Sequence, residues 1–288
     1  MIYRFGGCLR KMRFIEFSLE TFCMDQKTLP RCILKPLTTS VGKSLALVML
    51  LCAGAPSVVY AAENTATANL TAPPYIARTS AAMMTLFHFK ADDVQKLLPD
   101  GVTVKSDANG QVIGGIEMYT TDQAYGVANY TLAFFFVQVR GVENNAAEDG
   151  NWVVWGKVDN NSALQGFTGF YNYPYVIDKD VSVKRDGSEA LAVFDKDGQE
   201  GFKLELKIKT DKPFAGEGLA NSYSQLPDGK IIKSEIPWLA TGNEAEVVSF
   251  TVNAGDNSVL KTLQQGKAFY AGVSNNAFSY SAPVPVTK

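Results

Sequence analysis

The sequence predicts a mainly β, α+β domain: a barrel or sandwich of many antiparallel strands with two short helices. Three observations carry that prediction. Beyond residue 80 the apolar residues alternate with period two in segment after segment. Asp186-Gly187 and Asp197-Gly198 read as hairpin punctuation between neighbouring segments. Only Ala91 to Leu98 and Ser258 to Gln265 place apolar residues at helical spacing.

In order, Met83 to Phe89 is the first strand. The helix from Ala91 follows, with Asp92 and Asp93 in its first turn and Val94, Leu97 and Leu98 on one side, stopped by Pro99-Asp-Gly101. Val112 to Tyr119 and Ala128 to Val139 are the next strands. The latter carries Leu132, Phe134 and Phe136 on one face and Ala133, Phe135, Val137 and Val139 on the other. A strand apolar on both faces is central and covered twice. Trp152 to Val158, Tyr175 to Lys184, Ala190 to Phe194 and Gly201 to Thr210 continue the pattern, then Ile231 to Ile236 and Glu246 to Asn253. After the second helix, Ala268 to Tyr280 closes the sheet. No internal repeat or second domain is evident.

The amino-terminal 61 residues read as a secretory signal peptide with an over-called extension, Met24 being the expected initiator. Arg31, Lys35 and Lys43 precede the apolar run Leu45 to Ala53. Gly54, Pro56 and Ser57 lead to Val59-Tyr-Ala61, whose small residues suit cleavage after Ala61. The expectation is an exported protein, periplasmic or secreted, with no stable membrane insertion after cleavage. Residues 62–77, rich in Thr, Ala and Asn around Pro73-Pro74, form a linker, and 78–288 the domain.

Composition excludes several functions. Cys8, Cys23, Cys32 and Cys52 all precede the cleavage site, so the mature chain has neither a disulfide nor a thiol nucleophile. It keeps 19 basic and 26 acidic residues, a net charge of −7 that gives no reason to bind nucleic acid or an anionic membrane. His88 is the only histidine, which leaves a catalytic triad or histidine metal cluster little to stand on; a structural role is expected for it. Asp195-Lys-Asp197-Gly198 begins like a calcium loop, but its glycine comes two positions early, so it reads as a turn. No glycine-rich phosphate loop is present, and neither a metal nor a cofactor is expected.

Four segments, in order, resemble the acetoacetate decarboxylase-like family. They are Asp92 to Gly101, Tyr125-Gly-Val-Ala-Asn-Tyr130, Ala163 to Pro174 and Gly255 to Leu263. The resemblance spans Arg78 to Pro285 and implies an antiparallel, barrel-like fold with a buried pocket. In that family a lysine after an aromatic-Pro pair forms a Schiff base with a β-keto acid, giving the electrons left by carbon dioxide a sink. Here the pair is Tyr173-Pro174, and Tyr175 and Val176 stand where the family has lysines. Tyr130, Thr131 or Leu132 falls at one family glutamate; Gly115 falls at a second, with Glu117 two residues away on the same face. Arg78 matches the substrate-binding arginine across a two-residue gap.

The resemblance thus implies a pocket for a small keto acid or related carboxylate or carbonyl compound, without the standard lysine-imine decarboxylation. Arg78, Glu117, Tyr130, Thr131, Tyr173 and Tyr175 are the candidate ligand-binding residues. Lys179 is the candidate relocated amine, because an unbroken strand from Tyr175 would put Tyr175, Ile177 and Lys179 on one face. If the chain is an enzyme, it is a decarboxylase or lyase type. The alternatives are a non-catalytic β-barrel that carries a small molecule and a pocketless structural domain. Assembly into homo-oligomers would fit the resemblance.

Overall fold

The computed structural model describes residues 70–141, 148–194 and 200–286. The proposed signal segment and the Asp195 to Gly198 turn lie outside the described residues. The strands are β1 (Tyr75–Lys90), β2 (Gln111–Thr120), β3 (Gln123–Tyr125), β4 (Thr131–Val139), β5 (Gly150–Val158), β6 (Tyr175–Ile177), β7 (Ser182–Asp186), β8 (Glu189–Val193), β9 (Gly201–Gln225), β10 (Ile231–Asn253), β11 (Lys267–Tyr280) and β12 (Val284–Pro285). The helices are α1 (Ala91–Gln95), α2 (Asn161–Tyr171) and α3 (Ser258–Gln264).

These strands belong to one sheet whose main path is β12-β10-β11-β1-β2-β4-β5-β9-β8-β7, with β3 paired to β1 and β6 to β5, and β9 also pairs with β10. The pairing path therefore returns on itself, but not as a simple antiparallel barrel. β3, β6, β7, β8 and β12 hang from it, and β5 runs parallel to both β6 and β9. The sheet is mixed because α2 crosses over between β5 and β6, and such a crossover returns the chain in the same direction.

β4 sits where its two apolar faces require. Ala133, Phe135, Val137 and Val139 enter one core cluster; Leu132, Phe134 and Phe136 enter another on the opposite face. The first cluster is covered by α1 and α3 through Val94, Leu260 and Leu263. The second is covered by α2 through Ala163, Phe167 and Tyr171.

Three expectations are corrected. A third helix, α2, absent from the two-helix expectation, occupies most of the Ala163 to Pro174 segment. It starts at Asn160, whose side chain accepts a hydrogen bond from the Ala163 amide, and ends at Asn172 in the left-handed conformation. The predicted strand from Tyr175 to Lys184 is two short strands separated by a turn at Lys179 and Asp180. The segments Gly201 to Thr210, Ile231 to Ile236 and Glu246 to Asn253 are parts of one long hairpin, β9–β10, paired from Gly201/Asn253 to Gln225/Ile231.

Candidate ligand-binding site

A cavity of about 330 Å³ lies on the α2 side of the sheet, between it and the curled β9–β10 hairpin. Register builds its floor. Gly272, Met84, Glu117, Phe134, Gly156 and Tyr175 are successive Cα partners across β11, β1, β2, β4, β5 and β6, so they form one cross-strand row. Side chains along such a row share a face. Gly156 leaves a gap in it. The Tyr175 ring fills that gap so closely that a Cβ on Gly156 would collide with it, and leans toward Phe134 at 6.4 Å between ring centroids. The resemblance leads one to expect a glutamate at Gly115, but a Cβ there would meet the Phe136 ring at 2.6 Å and Leu86 at 2.8 Å. Phe136 therefore occupies the space a longer side chain would need.

The hairpin supplies the opposite wall through Phe214, Gly216, Ala220, Ser222, Ile236 and Trp238. Trp238 lies over glycines of β9, a Cβ on Gly218 falling 3.0 Å from its indole. Tyr270 and Tyr280 of β11 complete the lining.

Among the described residues, Glu117 is the only carboxyl that lines the cavity, and no lysine or arginine lines it. No side chain among the described residues gives it a hydrogen bond or ion pair; the exposure it retains is to the cavity. Burial without a compensating cation lifts its pKa from the ordinary 4.5 to about 7. Its hydroxyl neighbours are buried tyrosines. Tyr119 is hydrogen-bonded to Tyr130 at 3.3 Å and to Tyr280 at 3.2 Å. Tyr173 donates to Ser222 Oγ at 2.8 Å, whereas the Tyr175 hydroxyl has no hydrogen-bond partner among the described residues. Burial, followed by neighbouring tyrosines and Glu117, raises Tyr119 and Tyr175 well above the usual phenol range. They are held in the neutral, donating form at neutral pH.

The structure gathers some of the expected residues here and disperses others. Glu117, Tyr173 and Tyr175 line the cavity. Tyr130 stands one hydroxyl behind it, through Tyr119. Thr131 is buried and bonded to Thr120 at 3.1 Å, away from the lining. Arg78 lies exposed on β1 and does not reach the cavity, because it points to the face opposite its buried neighbours Ala77 and Thr79. Lys179 is exposed in the turn after β6, so the strand face that would have aligned it with Tyr175 does not exist. The buried amine near that turn belongs to Lys157 instead. It is paired with Asp178 at 2.7 Å and donates to the Phe194 carbonyl, which belongs to the other core cluster. Sequence reasoning missed Tyr119, Tyr270, Tyr280, Phe214 and Trp238. For Tyr119 the signal was present, since it shares a strand face with Glu117.

Comparison with solved structures places this architecture. The chain is similar to acetoacetate decarboxylase from Legionella pneumophila, with 11% identity and a TM-score of 0.57 over 75% of this chain and 88% of that one. It is also similar to an acetoacetate decarboxylase-like enzyme from Sphingomonas wittichii RW1, at 13% identity and TM-score 0.52 over 74% and 92% of the two chains. The enduracididine biosynthesis enzyme MppR, solved in complex with pyruvate, matches at 12% identity and TM-score 0.52 over 77% and 93%. No family model and no curated protein matches the sequence. The chain has a divergent acetoacetate decarboxylase-like fold.

Proposed function

We propose that this protein binds a small, largely apolar carbonyl compound in the Glu117 cavity. The observation that carries the reading is the lining itself: aromatic and aliphatic walls, one carboxyl without a cation, and neutral hydroxyl donors. A carbonyl oxygen can accept from Tyr175 or the Tyr119–Tyr280 pair. A ligand carboxylate would find no lysine or arginine in the lining and would face Glu117, so a keto acid enters only when one proton is shared between the two carboxyls. The pyruvate bound by MppR supports a small oxo-compound as the ligand class. Lysine-imine decarboxylation has no amine to work with in the described lining, which weighs against that lyase reading.

A thermal-midpoint screen of the purified domain tests this with matched neutral ketones and keto acids at pH 6 and pH 8. Ligands that bind the native state raise the midpoint by mass action. Neutral ketones should raise it at both pH values and keto acids only at the lower one. Preference for the keto acid at pH 8 would overturn the assignment.

We also propose that the protein lies outside the cytoplasm after cleavage near Ala61, a reading supported by the charged, apolar and small-residue order of the amino-terminal segment. Recovery from the exported fraction with a new amino terminus near Ala62 is the expected result. An intact amino terminus in the cytoplasm would refute it.

A further inference from the structure

The Glu117 cavity pairs an isolated carboxyl with an excess of hydroxyl protons, and the two together can do more than hold a ligand. Three hydroxyls, those of Tyr130, Tyr119 and Tyr280, are joined by two hydrogen bonds. Each hydroxyl carries one proton and two protons are used in the links, so one is left to donate beyond the cluster. Of the three, Tyr119 and Tyr280 line the cavity. Tyr175 supplies a second donor from the cross-strand row that holds Glu117, its hydroxyl uncommitted among the described residues. The Tyr173 hydroxyl is committed to Ser222, and Ser274 to Asn276 at 2.6 Å.

We propose that Glu117 is a general base and that Tyr175 with the Tyr119–Tyr280 pair forms an oxyanion site, making this a lysine-independent centre for enolising a bound ketone. The inference rests on the carbonyl-binding reading above. In the step, a Glu117 carboxylate oxygen takes a proton from the carbon next to the carbonyl. The electron pair of the broken C–H bond becomes the C=C π bond, and the carbonyl π pair moves to oxygen, which the tyrosine hydroxyls hold. Glu117, now a neutral acid, returns the proton to the same carbon, giving exchange with solvent, or to another carbon of the conjugated system, giving isomerisation. Atoms and charge balance without an external reactant.

Two features of the site suit that chemistry. Neutral tyrosines stabilise an oxyanion by donating, and their raised pKa values keep them protonated while they do so. A carboxyl titrating near neutrality is partly ionised at working pH and strong enough as a base to be used. Tyr119 on β2 and Tyr175 on β6 interact electrostatically with Glu117, as does Tyr130 behind the lining; Tyr173, Tyr270 and Tyr280 are the other phenols of the lining, to which β1, β4, β5, β9 and β10 contribute no ionisable side chain. Burial is what governs its proton.

The test uses phenylacetone as probe. Proton–deuterium exchange at the carbons flanking its carbonyl is followed by NMR in deuterated buffer, alongside its effect on the thermal midpoint. The wild-type protein should accelerate exchange over buffer, with a rate that rises through about neutral pH and levels off as Glu117 ionises. Glu117→Gln should lower the rate about 100-fold or more while keeping the midpoint shift. Tyr175→Phe should lower it about 10- to 100-fold. Borohydride should leave no mass increment, which separates this route from imine formation on a lysine. A midpoint shift without accelerated exchange, exchange that survives in Glu117→Gln, or a borohydride adduct that accounts for the exchange would overturn the base assignment and leave the binding reading standing. No midpoint shift would overturn both.

Discussion

Gly156 shows how one missing side chain shapes the site. It faces Tyr175 across the parallel β5–β6 pair, and a methyl group there would overlap the tyrosine ring. Gly156→Ala must move that ring, and overpacking of this kind costs about 1 to 3 kcal/mol. The ring would move into the cavity, so the variant should lose stability and the ligand-induced midpoint shift together. Chemical denaturation of Gly156→Ala alone and in a Tyr175→Ala background checks the mechanism. The cost should shrink when the ring is gone, because neighbours in contact are not additive. Equal costs in the two backgrounds would mean that Gly156 serves the backbone rather than the tyrosine. This pairing was half legible in the sequence. Tyr175 stood out because the resemblance leads one to expect a lysine there, whereas the need for glycine at 156 depends on a parallel pairing that no local pattern announces.

Legibility varies among the elements for the same physical reason. β1, β2, β4, β5, β8 and β11 are read from the sequence because burial imposes alternation, or an unbroken apolar run, on each. The middle of the β9–β10 hairpin is not. Asp211 to Gly218 carries charges, Pro213 and two glycines, and much of this stretch is exposed. It is held by pairing with β10 rather than by an apolar face, so β-propensity has nothing to register. Yet this is the segment that walls the cavity, and Gly216 and Gly218 are there because Trp238 packs over them. α2 was missed for a different reason. Gly166 and Gly169 lower helix propensity, but Gly166 allows α2 to approach Tyr75 and Val127 closely, a Cβ there lying 3.0 Å from Val127 Cγ1. Its Asn160 cap and its buried Ala163, Phe167 and Tyr171 were the signal available against the glycines. The Asn172 terminus then delivers Tyr173 and Tyr175 to the cavity.

At the scale of the whole molecule, the closed strand path encloses a carboxyl with no ion partner among the described residues, and global stability must register it. In the native state Glu117 holds its proton up to about pH 7; in the unfolded chain it loses it near its ordinary 4.5. Between those values the unfolded state binds fewer protons, so stability falls as pH rises. The contribution is fully present below about 4.5 and is lost as pH passes through about 7. The span of that shift sets a ceiling of about 3 kcal/mol, lowered by whatever water the cavity admits. Glu117→Gln, which keeps shape and removes ionisation, should flatten this limb of the profile and become more stable relative to wild type as pH rises from 5 to 8. Urea denaturation at intervals across that range measures it, with unchanged m-values confirming that the comparison concerns stability rather than compactness. A bound ketone should leave the slope in place while raising the whole curve, because it brings no charge to pair with Glu117. A bound keto acid should steepen the loss with pH, since it competes for the proton that Glu117 holds. Parallel curves for wild type and Glu117→Gln would mean that the carboxyl is solvated, and the cavity would then lack the enclosed, uncompensated acid on which both its ligand preference and its chemistry depend.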